Sequence, residues 1–95
     1  MKQPAIYIVT NKKNGVLYTG VTSNIVKRIY QHKHSTTKGF TAKYNCNLLV
    51  FFEIHETMEA AITREKQIKA GGRDKKVRLI EEFNPDWKDL YDAIV

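Results

Sequence analysis

Ninety-five residues leave room for about one small domain, since domains usually need roughly 100–150, so separate catalytic and targeting domains do not both fit. Apolar residues make up 42% and charged residues 27%, a globular balance that excludes a disordered, collagen-like or coiled-coil chain. The net charge of +6 is unevenly placed: Met1 to Asn45 holds eight basic residues and no acidic one, which favours a polyanionic partner.

Ala5 to Thr10 and Val16 to Val21 are apolar and rich in β-branched and aromatic residues, and Asn14-Gly15 between them is a turn signal, so the two segments predict a β-hairpin. Thr22-Ser23-Asn24 offers N-cap oxygens to a helix running to about Lys33, with Ile25, Val26 and Ile29 at helical spacing. His34 to Asn45 is small, polar and basic, which predicts a mobile loop. The apolar run within Leu48 to Ile54 predicts a central buried strand. Thr57 caps a second predicted helix that stops at Gly71-Gly72. A third helix runs from Asp74 to about Phe83, and a short last helix spans Trp87 to Ile94. The expected fold is therefore α+β, a three-stranded sheet of hairpin plus central strand flanked by helices, in the order β-β-α-β-α-α-α.

Cys46 is the only cysteine, which excludes an internal disulfide and a cysteine-rich zinc site. No apolar run reaches the roughly 18 residues that span a bilayer, so no membrane association and a cytoplasmic location are expected. A second basic block lies between Arg64 and Arg78, with seven basic residues against Glu65 and Asp74, whereas Leu79 to Val95 is acidic.

Four sets of residues could carry chemistry. On the second helix Met58, Ala61, Ile62 and Ile68 form one stripe, and Glu65 falls near its middle; a buried carboxylate there needs a salt bridge, a metal or the exposed end of the stripe. Arg28 and His32, spaced i, i+4, share a face beside the Ile25/Ile29 stripe, and guanidinium with imidazole suits a phosphodiester as well as a solvated helix face. His34 and His55 are weaker candidates. Tyr7 and Tyr18 lie eleven apart and are expected nearly opposite each other on one face of the hairpin, with Gly20 opening space beside a phenol. Phe40 and Tyr44, interleaved with Lys38 and Lys43, could stack on unpaired bases.

These residues in this order resemble the GIY-YIG nuclease superfamily: Ala5-Ile6-Tyr7, Tyr18-Thr19-Gly20, Arg28, His32, Glu65 and Asn84, together with the loop Lys38 to Tyr44 and the ending Asn84-Pro85-Asp86-Trp87. The resemblance covers nearly the whole chain, as one domain over residues 1–95, and is closest to small stand-alone bacterial members. Ala5 stands in place of the first motif's glycine and Thr19 in place of the second motif's isoleucine, and neither change removes a functional group.

The resemblance implies a metal-dependent endonuclease hydrolysing DNA phosphodiesters. With no second domain to read sequence, little sequence specificity is expected, and the basic loop with aromatics makes selectivity for branches, flaps or single-stranded ends, and a link to repair or recombination, the expectation. It implies catalytic roles for Tyr7, Tyr18, Arg28, His32 and Glu65, with one Mg²⁺ or Mn²⁺ held by Glu65. Lys13, Thr22, Lys38, Phe40, Lys43, Tyr44 and Asn84 are expected to contact DNA, and the protein to act as a monomer or weak dimer. Either Tyr7 or His32 could take the proton of the attacking water. Two other readings remain open at this level: a catalytically silent nucleic-acid-binding module, and an RNA-directed or protein-interaction role.

Overall fold

A computed structural model of the chain describes residues 3–34 and 39–95. The elements are β1 (Ala5–Thr10), β2 (Leu17–Thr22), α1 (Ile25–Lys33), α2 (Phe40–Lys43), β3 (Leu48–Ile54), α3 (Met58–Ala70), α4 (Arg73–Phe83) and α5 (Tyr91–Ile94). The expected α+β order is found, with α2 as an addition. Part of the segment expected to be a mobile loop is thus a short helix, and its Thr41 is buried.

The three strands form one antiparallel sheet in the order β2-β1-β3. The expectation that Leu48 to Ile54 lies centrally is corrected, because β1 holds that place. An apolar run reports burial on both faces, and here helices cover β3 on both faces while it remains an edge in sequence of pairing. The chain after α4 covers that edge: Leu90 donates its N–H to the Leu49 carbonyl at 2.7 Å, and the Asp89 carboxylate accepts from the Leu49 N–H at 3.2 Å. A bulge between Ile8 and Val9 sets Val50 out of register.

Alternation along β1 divides the core. Ile6 and Ile8 face Ala61 and Ile68 of α3, Ile80 of α4 and Trp87, whereas Ala5, Tyr7 and Val9 face Ile25 and Ile29 of α1 and the buried Cys46. The predicted last helix shortens to α5. Trp87 adopts a left-handed φ of 55° and packs on the α3/α4 side, while Leu90, Tyr91 and Ile94 pack on the α1 side, so the chain must turn over the sheet edge between them.

Caps and turns follow local chemistry. The Asn24 carboxamide accepts from Lys27 N–H at 3.1 Å, and the Thr57 hydroxyl accepts from Ala60 N–H at 3.1 Å. In the hairpin, Asn14 takes φ 59° and the Asn11 side chain accepts from Val16 N–H at 2.9 Å. A Cβ at Gly15 would lie 2.0 Å from that Asn11 oxygen, so the turn requires glycine there. Arg73, at the start of α4, donates to the carbonyls of Asn14 and Gly15 at 2.8 Å each and ties this loop to the helical layer. Among the described residues no helix is long and apolar enough to cross a membrane.

Candidate active site

Tyr7 lies in the central strand with its side chain fully buried. Directly opposite it is Gly20, not Tyr18, which pairs with Val9. The hairpin is centred one residue further along than equal spacing suggests, so Tyr18 stands diagonally from Tyr7 on the same face, with ring centroids 6.4 Å apart. The space left by Gly20 is filled by the Tyr7 ring itself: a Cβ on Gly20 would meet the phenol oxygen at 2.4 Å and Cζ at 2.5 Å. The strand pair therefore sets Tyr7 by removing a side chain opposite it.

Helix α1 brings the next groups. Its capped N-terminus fixes the register that turns Ile25 and Ile29 into the core, and Arg28 and His32 then flank the Tyr7 phenol. The phenol oxygen and His32 Nε2 are 3.0 Å apart, and His32 Nδ1 lies 3.1 Å from the Thr41 hydroxyl. The Arg28 charge acts on this pair, working against the burial of the Tyr7 phenol and disfavouring a charged His32. A neutral imidazole has one N–H, so one ring nitrogen of His32 donates and the other accepts. A line of hydrogen bonds thus runs from Tyr7 through His32 to Thr41.

Burial tunes this line. Desolvation pushes the Tyr7 phenol up to about 12, with Tyr18 and the Glu65 carboxylate adding to the rise and Arg28 working against it. Desolvation, helped by the Arg28 charge, pulls His32 down to about 4. At neutral pH Tyr7 therefore keeps its proton and His32 is a neutral imidazole.

Glu65 enters from α3, which packs across β2 and β1. The stripe is partly as expected, with Ala61 and Ile68 buried and Glu65 only 13% exposed, but Ile62 faces outward. The neighbouring Arg64 points elsewhere and pairs with Glu53. The ion-pair partner of Glu65 is Lys69, one turn on, with Nζ to Oε2 at 2.9 Å. Lys69 Nζ also lies over the Tyr18 ring, 5.9 Å from its centroid, so the carboxylate, this cation and both tyrosines form one neighbourhood.

Among the described residues no group of three or more His, Cys, Asp and Glu gathers as a metal cage. A single, largely shielded carboxylate already carrying an ammonium fits a hard divalent cation that keeps most of its waters and completes its shell with phosphate oxygen; it does not fit zinc in a protein cage.

The residues expected to contact DNA are placed unevenly. Lys13 at the hairpin tip and Lys43 on α2 are exposed, and Lys43 Nζ lies 5.4 Å from the Tyr44 ring centroid. Thr22 is buried, its hydroxyl accepting from the Asn24 N–H at 3.1 Å to shape the entry to α1. Lys38 lies outside the described residues, and only the backbone of Phe40 is described. Asn84 is a correction. It is buried and C-caps α4, donating to the Val50 and Lys88 carbonyls at 3.2 and 2.7 Å and accepting from the Lys88 N–H at 3.1 Å. With both ends of its amide committed, it holds the chain turn after α4 and has no group to offer a ligand. His34 stacks on Tyr30 at 4.1 Å, and His55 bonds Glu53 at 3.2 Å, both apart from the cluster.

Sequence reasoning missed two members. Thr41 sits in the segment read as a loop, and the signal for it is that a buried neutral His32 needs partners at both ring nitrogens. Lys69 was readable from its i, i+4 spacing to Glu65.

The chain is similar to known proteins along most of its length. The chain is 39% identical over 82 residues to UPF0213 protein SSP2268 of Staphylococcus saprophyticus, covering 86% of this chain and 99% of that one. It is 36% identical over 77 residues to UPF0213 protein HQ_3675A of Haloquadratum walsbyi, covering 81% and 85%. The solution NMR structure of UPF0213 protein BH0048 from Bacillus halodurans superimposes with a TM-score of 0.57 at 25% identity, covering 92% of each chain. The family model described as the GIY-YIG catalytic domain matches residues 3–78, a span that contains Tyr7, Tyr18, Arg28, His32, Thr41 and Glu65, and the chain belongs to this family of nucleases.

Proposed function

We propose that this chain, acting as one domain, is a metal-dependent endonuclease that hydrolyses DNA phosphodiesters with little sequence preference. The observation that supports it best is the Tyr7 phenol, buried and 3.0 Å from His32 Nε2, within the electrostatic reach of both the Arg28 guanidinium and the Glu65 carboxylate. A purely structural tyrosine has no need of a neutral imidazole on its hydroxyl with a guanidinium and a carboxylate in the same neighbourhood.

Glu65 would hold one Mg²⁺ or Mn²⁺, which supplies Lewis-acid polarisation of the scissile phosphate. Arg28 binds a phosphate oxygen and offsets the negative charge that grows on it. Tyr7 takes a proton from the attacking water as its own proton passes to His32 Nε2, so the phenol relays the proton and His32 is the terminal base. The imidazolium that results donates from both nitrogens, to Tyr7 and to Thr41, and the charge growing on the phosphate raises its proton affinity at that moment. Tyr18 lines the same face and orients the water or phosphate. Lys13 at the hairpin tip, Lys43 at the end of α2 and Tyr44 just after it are exposed and meet the flanking strand, and an aromatic there favours unpaired bases and hence branched or single-stranded ends. Such a preference suits a role in repair or recombination.

The test is a cleavage panel on duplex, single-stranded and branched DNA with Mg²⁺ and Mn²⁺. Wild-type protein is expected to nick DNA and Glu65→Ala to lose at least about 10²-fold. Equal cleavage by the variant would show a contaminant, and salt-sensitive binding without cleavage in either metal would leave a silent binding module.

A further inference from the structure

The second basic block of the sequence, Arg64 to Arg78, is not used by the cluster around Tyr7. The fold gathers it into a groove between α3 and α4 of about 330 Å³, whose lining includes Arg64, Gln67, Lys75, Lys76 and Arg78, with Glu82 the one acidic lining residue among the described residues. Arg64 is committed: its guanidinium donates twice to the Glu53 carboxylate, at 3.0 and 3.1 Å. Lys75, Lys76 and Arg78 make no ion pair with the described residues. Three unneutralised cations beside one carboxylate leave a cavity that is electrostatically incomplete.

The position of the groove says what completes it. Arg64 and Glu65 are consecutive on α3, so they leave the helix about 100° apart, and the groove and the Tyr7 cluster lie on opposite flanks of its core-facing stripe. A helix with its side chains is about 10–12 Å across, and one nucleic-acid strand presents a phosphate about every 3.4 Å along the duplex axis. A strand lying at the cluster reaches past α3 within about three or four nucleotides.

We infer that the α3–α4 groove is a second, non-catalytic binding site for the phosphate backbone of the DNA held at Tyr7 and Glu65, read through charge and not through bases. The inference rests on the nuclease reading for the identity of the polyanion. Lys75 and Arg78, the more exposed pair, neutralise phosphates outside the scissile one, and Gln67 donates to a phosphate or sugar oxygen.

The experiment is duplex binding by fluorescence anisotropy in EDTA across a salt series, with inorganic phosphate as a competing probe, for wild type, Lys75→Ala, Arg78→Ala and the triple variant that adds Lys76→Ala. Each single change is expected to flatten the plot of log affinity against log salt by about 1. The triple variant should flatten it by about 2–3 and bind at least about tenfold more weakly near 0.1 M salt. A Lys88→Gln control on the exposed C-terminal segment should leave the slope nearly unchanged. Wild-type slope and affinity in the triple variant would overturn the groove and leave the nuclease reading intact. Flattened slopes in a protein that cleaves nothing would support the groove while the nuclease reading fails. Equal sensitivity of wild type and triple variant to millimolar inorganic phosphate at matched ionic strength is the expected result; a selective response of wild type would instead make the groove a pocket for free phosphate and overturn the backbone assignment.

Discussion

The Lys69 ammonium lies 2.9 Å from Oε2 of Glu65, one helical turn away, and 5.9 Å from the centroid of the Tyr18 ring. Lys69 is the counter-ion that keeps this largely shielded carboxylate partnered when no metal is bound. A divalent cation on Glu65 must displace it or share the oxygens with it. Lys69→Met should therefore lower the metal-free stability by about 0.5 kcal/mol, the size of a partly exposed i, i+4 pair. It should also enlarge the rise in Tm caused by millimolar Mg²⁺ or Mn²⁺, and Glu65→Gln should abolish that rise. Identical metal-induced shifts in Lys69→Met and wild type, measured by differential scanning fluorimetry, would sink this account of the pair.

His32 makes stability depend on acid. Its folded value of about 4 lies below the ordinary 6.5, so between those pH values the unfolded chain binds the proton more readily. The contribution is complete above about pH 6.5 and is lost as the pH falls towards 4. It amounts to about 1–2 kcal/mol once solvent screening is allowed for. Tm should fall over this window in wild type and fall less in His32→Gln. If His32 is the terminal base, cleavage by wild type should show an acidic limb below neutrality and no limb from Tyr7 up to about pH 10, since that phenol is pushed up to about 12. An activity maximum above pH 10 would instead make the Tyr7 phenolate the base.

Gly20 tests how the strand pair sets the phenol. A Cβ there would fall 2.4 Å from the Tyr7 oxygen, and the Tyr7 ring is enclosed, so relief must come from moving the ring or parting β1 from β2. Gly20→Ala is expected to cost about 1–3 kcal/mol and to break the Tyr7–His32 hydrogen bond. Urea denaturation measures the first effect. For the second, cleavage should drop by about the amount that Tyr7→Phe causes, and a Gly20→Ala protein with full activity would rule the mechanism out.

What could be read from the sequence separates along physical lines. Hairpin, caps and helices depend on neighbours in the chain, so Asn14-Gly15, Asn24 and Thr57 announced them. Tyr7, Arg28, His32 and Glu65 were legible because each is a chemically costly residue beside a core stripe. Strand order was not, since an apolar run such as Leu48 to Phe52 reports burial and not which neighbour supplies it. The register of Tyr7 depended on one residue of hairpin loop, and a shift of one changes the partner across the strand pair. Asn84 misled for a related reason: an amide that matches a family signature and an amide that caps a helix look alike until its four hydrogen-bonding directions are assigned. Thr41 was hidden because its role exists only through His32, nine residues earlier.

Thr19 gives the most economical test of the division of the sheet into a chemical face and a structural face. It lies between Tyr18 and Gly20, and alternation turns its side chain to the opposite side, where Leu17 and Val21 pack with Ile6 and Ile8. Its hydroxyl is buried with no hydrogen-bond partner among the described residues. The isoleucine usual at this place in the second motif has no such group to desolvate. Thr19→Val keeps the branched shape and removes the unpaired hydroxyl, so it should stabilise the fold by about 1–2 kcal/mol. Because the side chain does not share the Tyr7 face, cleavage at a temperature well below Tm should stay within about twofold of wild type. Chemical denaturation and a cleavage assay on the same preparation decide both points. A destabilised variant would mean that the hydroxyl has a partner in solution, and a stable variant with lost activity would mean that the two faces of β2 are coupled.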